Sequence, residues 1–170
     1  IAQRYDVPEI LGQILAGRGV SIDGAESFLH PSLQNDLPDP SCLMDMERAA
    51  GRLAQAIMAN EKIAVFGDYD VDGATSAALI HRFLAAIGVP LILYIPDRIR
   101  EGYGPNAAAL ETLAGQGARI VITVDCGTLA YQALAAGTRR GLDIIVADHH
   151  QADAHLPDAF AIINPNRLDD

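Results

Sequence analysis

Only two of the 170 residues are cysteine, Cys42 and Cys126. Two thiols make no disulfide framework, so the default compartment is a reducing cytoplasm. No apolar run approaches the ~20 residues of a membrane span, and the first residues do not read as a signal peptide. A membrane partner is therefore not expected. Cations are scarce as well: 12 Lys and Arg stand against 22 Asp and Glu, a net charge of −10. Nucleic-acid binders usually carry a basic face, so this balance weighs against a polyanionic partner. It does not exclude one, because the count includes clustered carboxylates that a bound cation would neutralise. The chain opens on Ile1 rather than Met and stops at Asp169-Asp170, just past a strand candidate. It is expected to be a piece of a larger protein.

Apolar residues, in contrast, are plentiful. Half the residues are hydrophobic, enough for a sizeable core. A chain of this size buries ~70% of its unfolded surface on folding. Residues 1–60 read as a helical extension. Apolar spacing predicts helices from Pro8 to Ala16 and from Ser21 to Leu29, then a proline-marked connection at Pro31, Pro38 and Pro40. A further helix from Asp45 to Asn60 has Met46, Leu53, Ile57 and Met58 spaced for one buried face. From 61 to 170 strands alternate with helices. Strand candidates are 62–67, 91–95, 119–124, 143–147 and 159–163; helix candidates are 74–87, 105–115 and 128–137. Continuous apolar strands separated by helices indicate an α/β domain, a parallel sheet of about five strands covered on both faces. Ligand sites in such sheets lie beyond the carboxyl ends of the strands.

Acidic residues sit at those ends. Asp68, Asp70 and Asp72 alternate after the first strand. Read as an extended segment, they point to one side. Converging carboxylates repel one another unless a cation sits among them. The third strand delivers Asp125, followed by Cys126-Gly127, and the fourth delivers Asp148-His149-His150. Carboxylate with imidazole suits Mn²⁺ and also holds Mg²⁺ or Zn²⁺. So many ligands exceed the need of one ion, and two ions ~3.5–4 Å apart serve in-line displacement at phosphorus. Cys126 reads as a small residue in a tight turn. His30, His81 and His155 lack ligand-like neighbours, and Arg139-Arg140 reads as a helix terminus.

Asp148-His149-His150 resembles the name-giving motif of the DHH phosphoesterase family. Gly67-Asp68-Tyr69-Asp70-Val71-Asp72-Gly73 and Val124-Asp125-Cys126-Gly127 look like its first two motifs. Asp45-Met46, Arg98 with Gly102-Tyr103-Gly104, and Ile162-Ile163-Asn164-Pro165-Asn166 resemble the amino-terminal half of its single-strand-specific DNA exonuclease branch. That resemblance implies two Mn²⁺ or Mg²⁺ ions in the complete protein. Asp70 and Asp125 would hold one ion; Asp72, Asp125 and His149 the other, with Asp125 bridging. Asp68 would support the first site, His150 would face the scissile phosphate, and Asp148 would orient a histidine. Arg98 and Tyr103 would touch the strand. The implied substrate is single-stranded DNA, cut from the 5′ end in repair and recombination, with repair or replication proteins as further partners. The family places another aspartate ligand beyond Asp170, so the domain at 61–170 is expected to be incomplete at its carboxyl end. Many relatives carry Asn where Cys126 stands. The competing readings are a small-substrate DHH phosphoesterase, acting on oligonucleotides, cyclic dinucleotides or pyrophosphate, and a non-catalytic DHH binding domain. A phosphorylated receiver domain would leave Asp148-His149-His150 unexplained.

Overall fold

A computed structural model describes residues 1–170 and divides them into two compact units, Ile1–Asp39 and Pro40–Asp170. No helix is long and apolar enough to cross a membrane.

The first unit holds four short helices: α1 (Ala2–Tyr5), α2 (Glu9–Gly17), α3 (Ala25–Leu29) and α4 (Leu33–Asp36). Leu15 and Ala25 are its buried hydrophobics. Gly12 faces Ala2 so closely that an added Cβ would meet the Ala2 Cβ at 3.0 Å. The Tyr5 hydroxyl donates to the Ile22 carbonyl at 2.8 Å. α3 begins four residues later than the apolar spacing suggests, after the Ser21 hydroxyl has accepted the Gly24 N–H at 3.0 Å.

The second unit is a five-stranded parallel sheet with helices on both faces. Its elements are α5 (Met46–Met58), β1 (Lys62–Gly67), α6 (Val71–Ala86), β2 (Leu91–Tyr94), α7 (Ala107–Gly115), β3 (Ala118–Val124), α8 (Tyr131–Arg139), β4 (Asp143–Ala147) and β5 (Ala161–Ile163). The strands lie in the order β2-β1-β3-β4-β5, each pair parallel. Alternate residues of each strand serve opposite faces. Ala64, Phe66, Val121, Ile144 and Val146 pack with Leu110 and Leu113 of α7 and Leu134 of α8. Ile63, Val65, Ile120, Ile122 and Ile145 pack with Ala49 and Ala56 of α5 and Ala77 and Leu84 of α6. Each Val, Leu, Ile or Phe among them contributes about 1.5–3 kcal/mol by leaving water, and each Ala less. Phe66 is fully buried and stacks on Tyr94 at 5.3 Å between ring centroids.

Two helix starts depart from the apolar pattern. α6 starts at Val71 rather than 74, because Asp70 Oδ1 accepts the N–H of both Asp72 and Gly73 at 3.0 Å. α8 starts at Tyr131 rather than 128: a turn comes first, in which the Ala130 N–H donates to the Gly127 carbonyl at 3.0 Å and the Thr128 N–H to Asp148 Oδ2 at 3.0 Å. On α5, Met58 is 76% exposed rather than buried. It follows Ala56 by two residues, roughly 200° around the helix from the buried stripe.

Candidate metal centre

The chain leaves β1 in one direction to form β2 and in the other to form β3, so the sheet has its switch point between β1 and β3. In open α/β sheets that crevice, outside the carboxyl ends, is where ligands bind. The ladder runs one residue past each strand there. The Asp68 N–H donates to the Val124 carbonyl (3.2 Å), Asp125 to Ala147 (2.9 Å) and Asp148 to Ile163 (3.0 Å). Asp68, Asp125 and Asp148 therefore stand side by side on one rung, at the ends of β1, β3 and β4.

Two backbone features set their aim. Asp125 has φ 62°, in the left-handed region that a non-glycine residue seldom occupies. Such strain persists only where the surroundings over-determine it, and it clusters at functional sites. Gly73 lets α6 begin hard against the end of β1: a Cβ there would lie 2.4 Å from the Asp68 carbonyl oxygen.

The side chains gather in two overlapping groups, Asp68 with Asp70 and Asp125, and Asp125 with His149 and His150. Within each group the donor atoms lie within 4.8 Å of one another. Asp125 belongs to both. Asp68 and Asp125 are 2% and 6% exposed, yet Asp68 Oδ1 and Asp125 Oδ2 accept no hydrogen bond. Burial pushes the Asp68 carboxyl above the usual carboxylate range. Burial, followed by the Asp70 carboxylate beside it, does the same to Asp125. Asp70 goes the other way, held low by the Gly73 N–H and then by its pairing with Asp125. Desolvated carboxylates with idle oxygens are poor neighbours for one another and good ligands for a hard cation. The donor set thus fits a divalent ion.

His149 Nε2 lies 3.0 Å from Asp125 Oδ1, with most of its ring exposed. His150 Nδ1 pairs with Asp148 Oδ1 at 2.7 Å, which raises the imidazole's pKa. Burial pushes the Asp148 carboxyl up, but hydrogen bonds from His150 and Thr128 outweigh it and hold it low. The Tyr103 hydroxyl donates to the Asp125 carbonyl (3.2 Å) and lies 3.1 Å from His150 Nδ1. Burial and the Asp148 charge keep that phenol protonated well beyond its ordinary range.

Of the sequence-predicted residues, Asp72, Arg98, Tyr103 and Asp148 lie outside both groups, the last two in contact with His150. Asp72 sits in the first turn of α6 rather than in an extended alternation with Asp68 and Asp70. It still lines a cavity of about 370 Å³ together with Asp125 and His149. Arg98 is exposed and lies over the Tyr69 ring at 5.1 Å, and its charge acts on Asp68. Cys126 is buried, its thiol pushed up by burial and donating to the Val124 carbonyl at 3.4 Å, so it stays a small neutral core residue. Sequence reasoning gave no role to Thr128 or to Asn164, both buried beside Asp148. The signal was present for Asn164: like the three aspartates, it directly follows an apolar strand.

Fold and site define a class: an α/β domain with a carboxylate–imidazole centre at the switch point of its sheet. The model of the DHH family, N-terminal domain, matches residues 62–170, and the chain belongs to that family. It is 36% identical over 98% of its length to the single-stranded-DNA-specific exonuclease RecJ of Bacillus subtilis (strain 168), covering 21% of that protein. It is 34% identical over 96% of its length to RecJ of Escherichia coli (strain K12), covering 28% of it. The chain thus spans well under a third of these relatives. Among solved structures it resembles exonuclease RecJ bound to manganese, with TM-score 0.69 and 33% identity over 75% of this chain and 33% of that one. It also resembles RecJ of Thermus thermophilus in complex with Mn²⁺, with TM-score 0.62 and 29% identity over 72% of this chain and 17% of that one.

Proposed function

We propose that this chain carries the phosphodiesterase centre of a 5′ to 3′ exonuclease acting on single-stranded DNA in repair and recombination. In this reading residues 61–170 are the DHH domain and 1–60 a helical extension. The observation that carries it is the pair of buried, unpartnered carboxylate oxygens on Asp68 and Asp125, flanked by Asp70 on one side and His149 on the other. Mn²⁺ or Mg²⁺ is the cofactor that this donor set suits, and the manganese-bound relatives support it. Asp70 and Asp125, assisted by Asp68, would hold one ion; Asp72, Asp125 and His149 would hold a second. When bound, such ions make a water nucleophilic at neutral pH and neutralise charge on phosphoryl oxygens.

The remaining roles belong to the chain itself. His150, whose protonated form the Asp148 hydrogen bond favours, presents an N–H donor toward a scissile phosphate. Asp148 holds that ring in one orientation, as carboxylates behind histidines do. Tyr103 supports the same ring and offers its face to a base. Arg98 stands on the loop beside them as a phosphate contact. The net charge of −10 would fall with each ion bound, which lowers the repulsion a DNA strand meets. Repair or replication proteins are the partners this activity implies.

The test is Mn²⁺-dependent release of mononucleotides from single strands labelled at either end, made with the chain extended to the length of its RecJ relatives, since residues 1–170 alone are expected to be weakly active or inactive. The reading expects release of the 5′ label first, no activity without a divalent ion, and loss of at least a hundredfold in Asp125→Ala with the fold retained. Near-normal turnover by Asp125→Ala would contradict it.

A further inference from the structure

The rung at the carboxyl edge has a fourth member. Ala147 of β4 pairs with Ile163 of β5, so Asn164 follows β5 as Asp148 follows β4. Asn164 is fully buried. Its Nδ2 donates to Thr128 Oγ1 at 2.8 Å and to the His150 carbonyl at 2.9 Å, and its Oδ1 accepts the Asn166 N–H at 2.8 Å. Thr128, 1% exposed, donates its own N–H to Asp148 Oδ2 at 3.0 Å. Asp148 Oδ1 in turn receives the His149 N–H (2.8 Å), the His150 N–H (3.2 Å) and His150 Nδ1 (2.7 Å). The Asn166 side-chain amide hydrogen-bonds the His149 carbonyl.

The backbone of the histidine pair is therefore held on all four sides. Asp148 takes both N–H groups, and the amides of Asn164 and Asn166 take both carbonyls. An apolar side chain would be the ordinary occupant of a fully buried place beside a strand. A buried amide is tolerated only when its hydrogen bonds are met, and a complete buried network specifies one arrangement. Both Asn164 Nδ2 bonds serve the histidine loop, one directly and one through the residue that holds Asp148. Neither serves the apolar core.

We infer that Asn164 is a positioning residue, which with Thr128 fixes the His149–His150 loop and thereby the direction of both imidazoles. The inference rests on the phosphodiesterase reading for its effect on catalysis, but not for its effect on the histidines. Partners behind a metal-binding histidine typically change metal affinity or activity by about 10–100-fold when removed.

The first readout is metal-free. Long-range ¹⁵N–¹H correlation spectra of the whole chain should show one set of imidazole signals each for His149 and His150. Asn164→Ala and Thr128→Val should double or broaden them at temperatures where the melting curve shows a folded protein. Thr128→Ser keeps the hydroxyl and should keep the single set. The second readout is Mn²⁺ affinity by electron spin resonance of the free ion, expected to weaken about 10–100-fold in the first two variants and about twofold or less in Thr128→Ser. Asn164→Ala or Thr128→Val with unchanged imidazole signals would overturn the inference. Should Asn164→Ala fail to fold, the Thr128 pair decides, since valine matches threonine in shape and lacks only the hydroxyl. Mn²⁺ failing to bind the unmodified chain while the variants' imidazoles lose their single set would refute the cation reading and leave the positioning role standing.

Discussion

Asp125 concentrates the chemistry of this molecule in one side chain. It has a left-handed backbone, is nearly buried, pairs with His149 through one oxygen and leaves the other idle. The glycine that makes room beside its neighbour is equally constrained. Gly73→Ala would drive a methyl group to 2.4 Å from the Asp68 carbonyl, a fixed backbone atom. Overpacking of that kind costs ~3 kcal/mol or more, a Tm lower by roughly 6–12 °C for a chain of this size. Gly51, within α5, has nothing within 4 Å of the place a Cβ would take. Gly51→Ala should instead gain ~0.5–1 kcal/mol, since alanine loses less backbone freedom in a helix. Thermal melting of the two variants side by side checks both signs; an unharmed Gly73→Ala would show that the junction of β1 and α6 yields.

At the scale of elements, the loop from β2 to α7 carries Arg98 and Tyr103, and Glu101 pins it. Its carboxylate accepts from the Tyr94 hydroxyl (2.6 Å), the Asp97 N–H (2.8 Å) and Asn106 Nδ2 (3.1 Å). The Tyr94 bond, ahead of the Asp97 N–H, holds Glu101 below the ordinary carboxylate range. The same bond, then burial, pushes Tyr94 up to about 12. The signs follow from linkage. The Glu101 contribution is complete above the usual glutamate pKa and is lost as pH falls through the depressed value. The Tyr94 contribution is complete below its ordinary pKa of ~10 and is lost as pH rises toward about 12. Glu101→Gln should therefore move the ring titration of Tyr94, followed by NMR, from near 12 back toward ~10. An unmoved midpoint would mean that burial alone raises it.

The strands were legible because buried parallel strands are continuous apolar runs, and Lys62–Gly67, Ala118–Val124 and Asp143–Ala147 carry such runs straight into an aspartate. The helix starts were not legible to the residue. They depend on the cap at Asp70 and on the turn that joins Gly127 to Ala130, which no periodicity records. The same limit applies to the site. Asp68, Asp125 and Asp148 could be read as strand-end residues, but their common rung, and the place of Asn164 on it, needed the register. Asp72 looked like part of an extended alternation until the cap at Asp70 turned its segment into helix.

At the scale of the whole molecule, the strand order decides the function-bearing geometry. Placing β1 between β2 and β3 opens the crevice where Asp68, Asp70 and Asp125 meet, and placing β4 beside β3 brings His149 and His150 to the same edge. In the proposed function this edge is complete only with a divalent cation. Binding at a hundred times Kd contributes about 2.7 kcal/mol, which in a chain of this size raises Tm by roughly 5–11 °C. The direct measurement is thermal melting of the unmodified chain and of Asp125→Asn, each with and without Mn²⁺. The unmodified chain should gain that shift. Asp125→Asn should gain almost none, while its metal-free Tm equals or exceeds that of the unmodified chain, because a buried carboxylate charge beside Asp70 is gone. A full Mn²⁺ shift in Asp125→Asn, or a metal-free Tm well below that of the unmodified chain, would contradict a cation held by the Asp125 carboxylate.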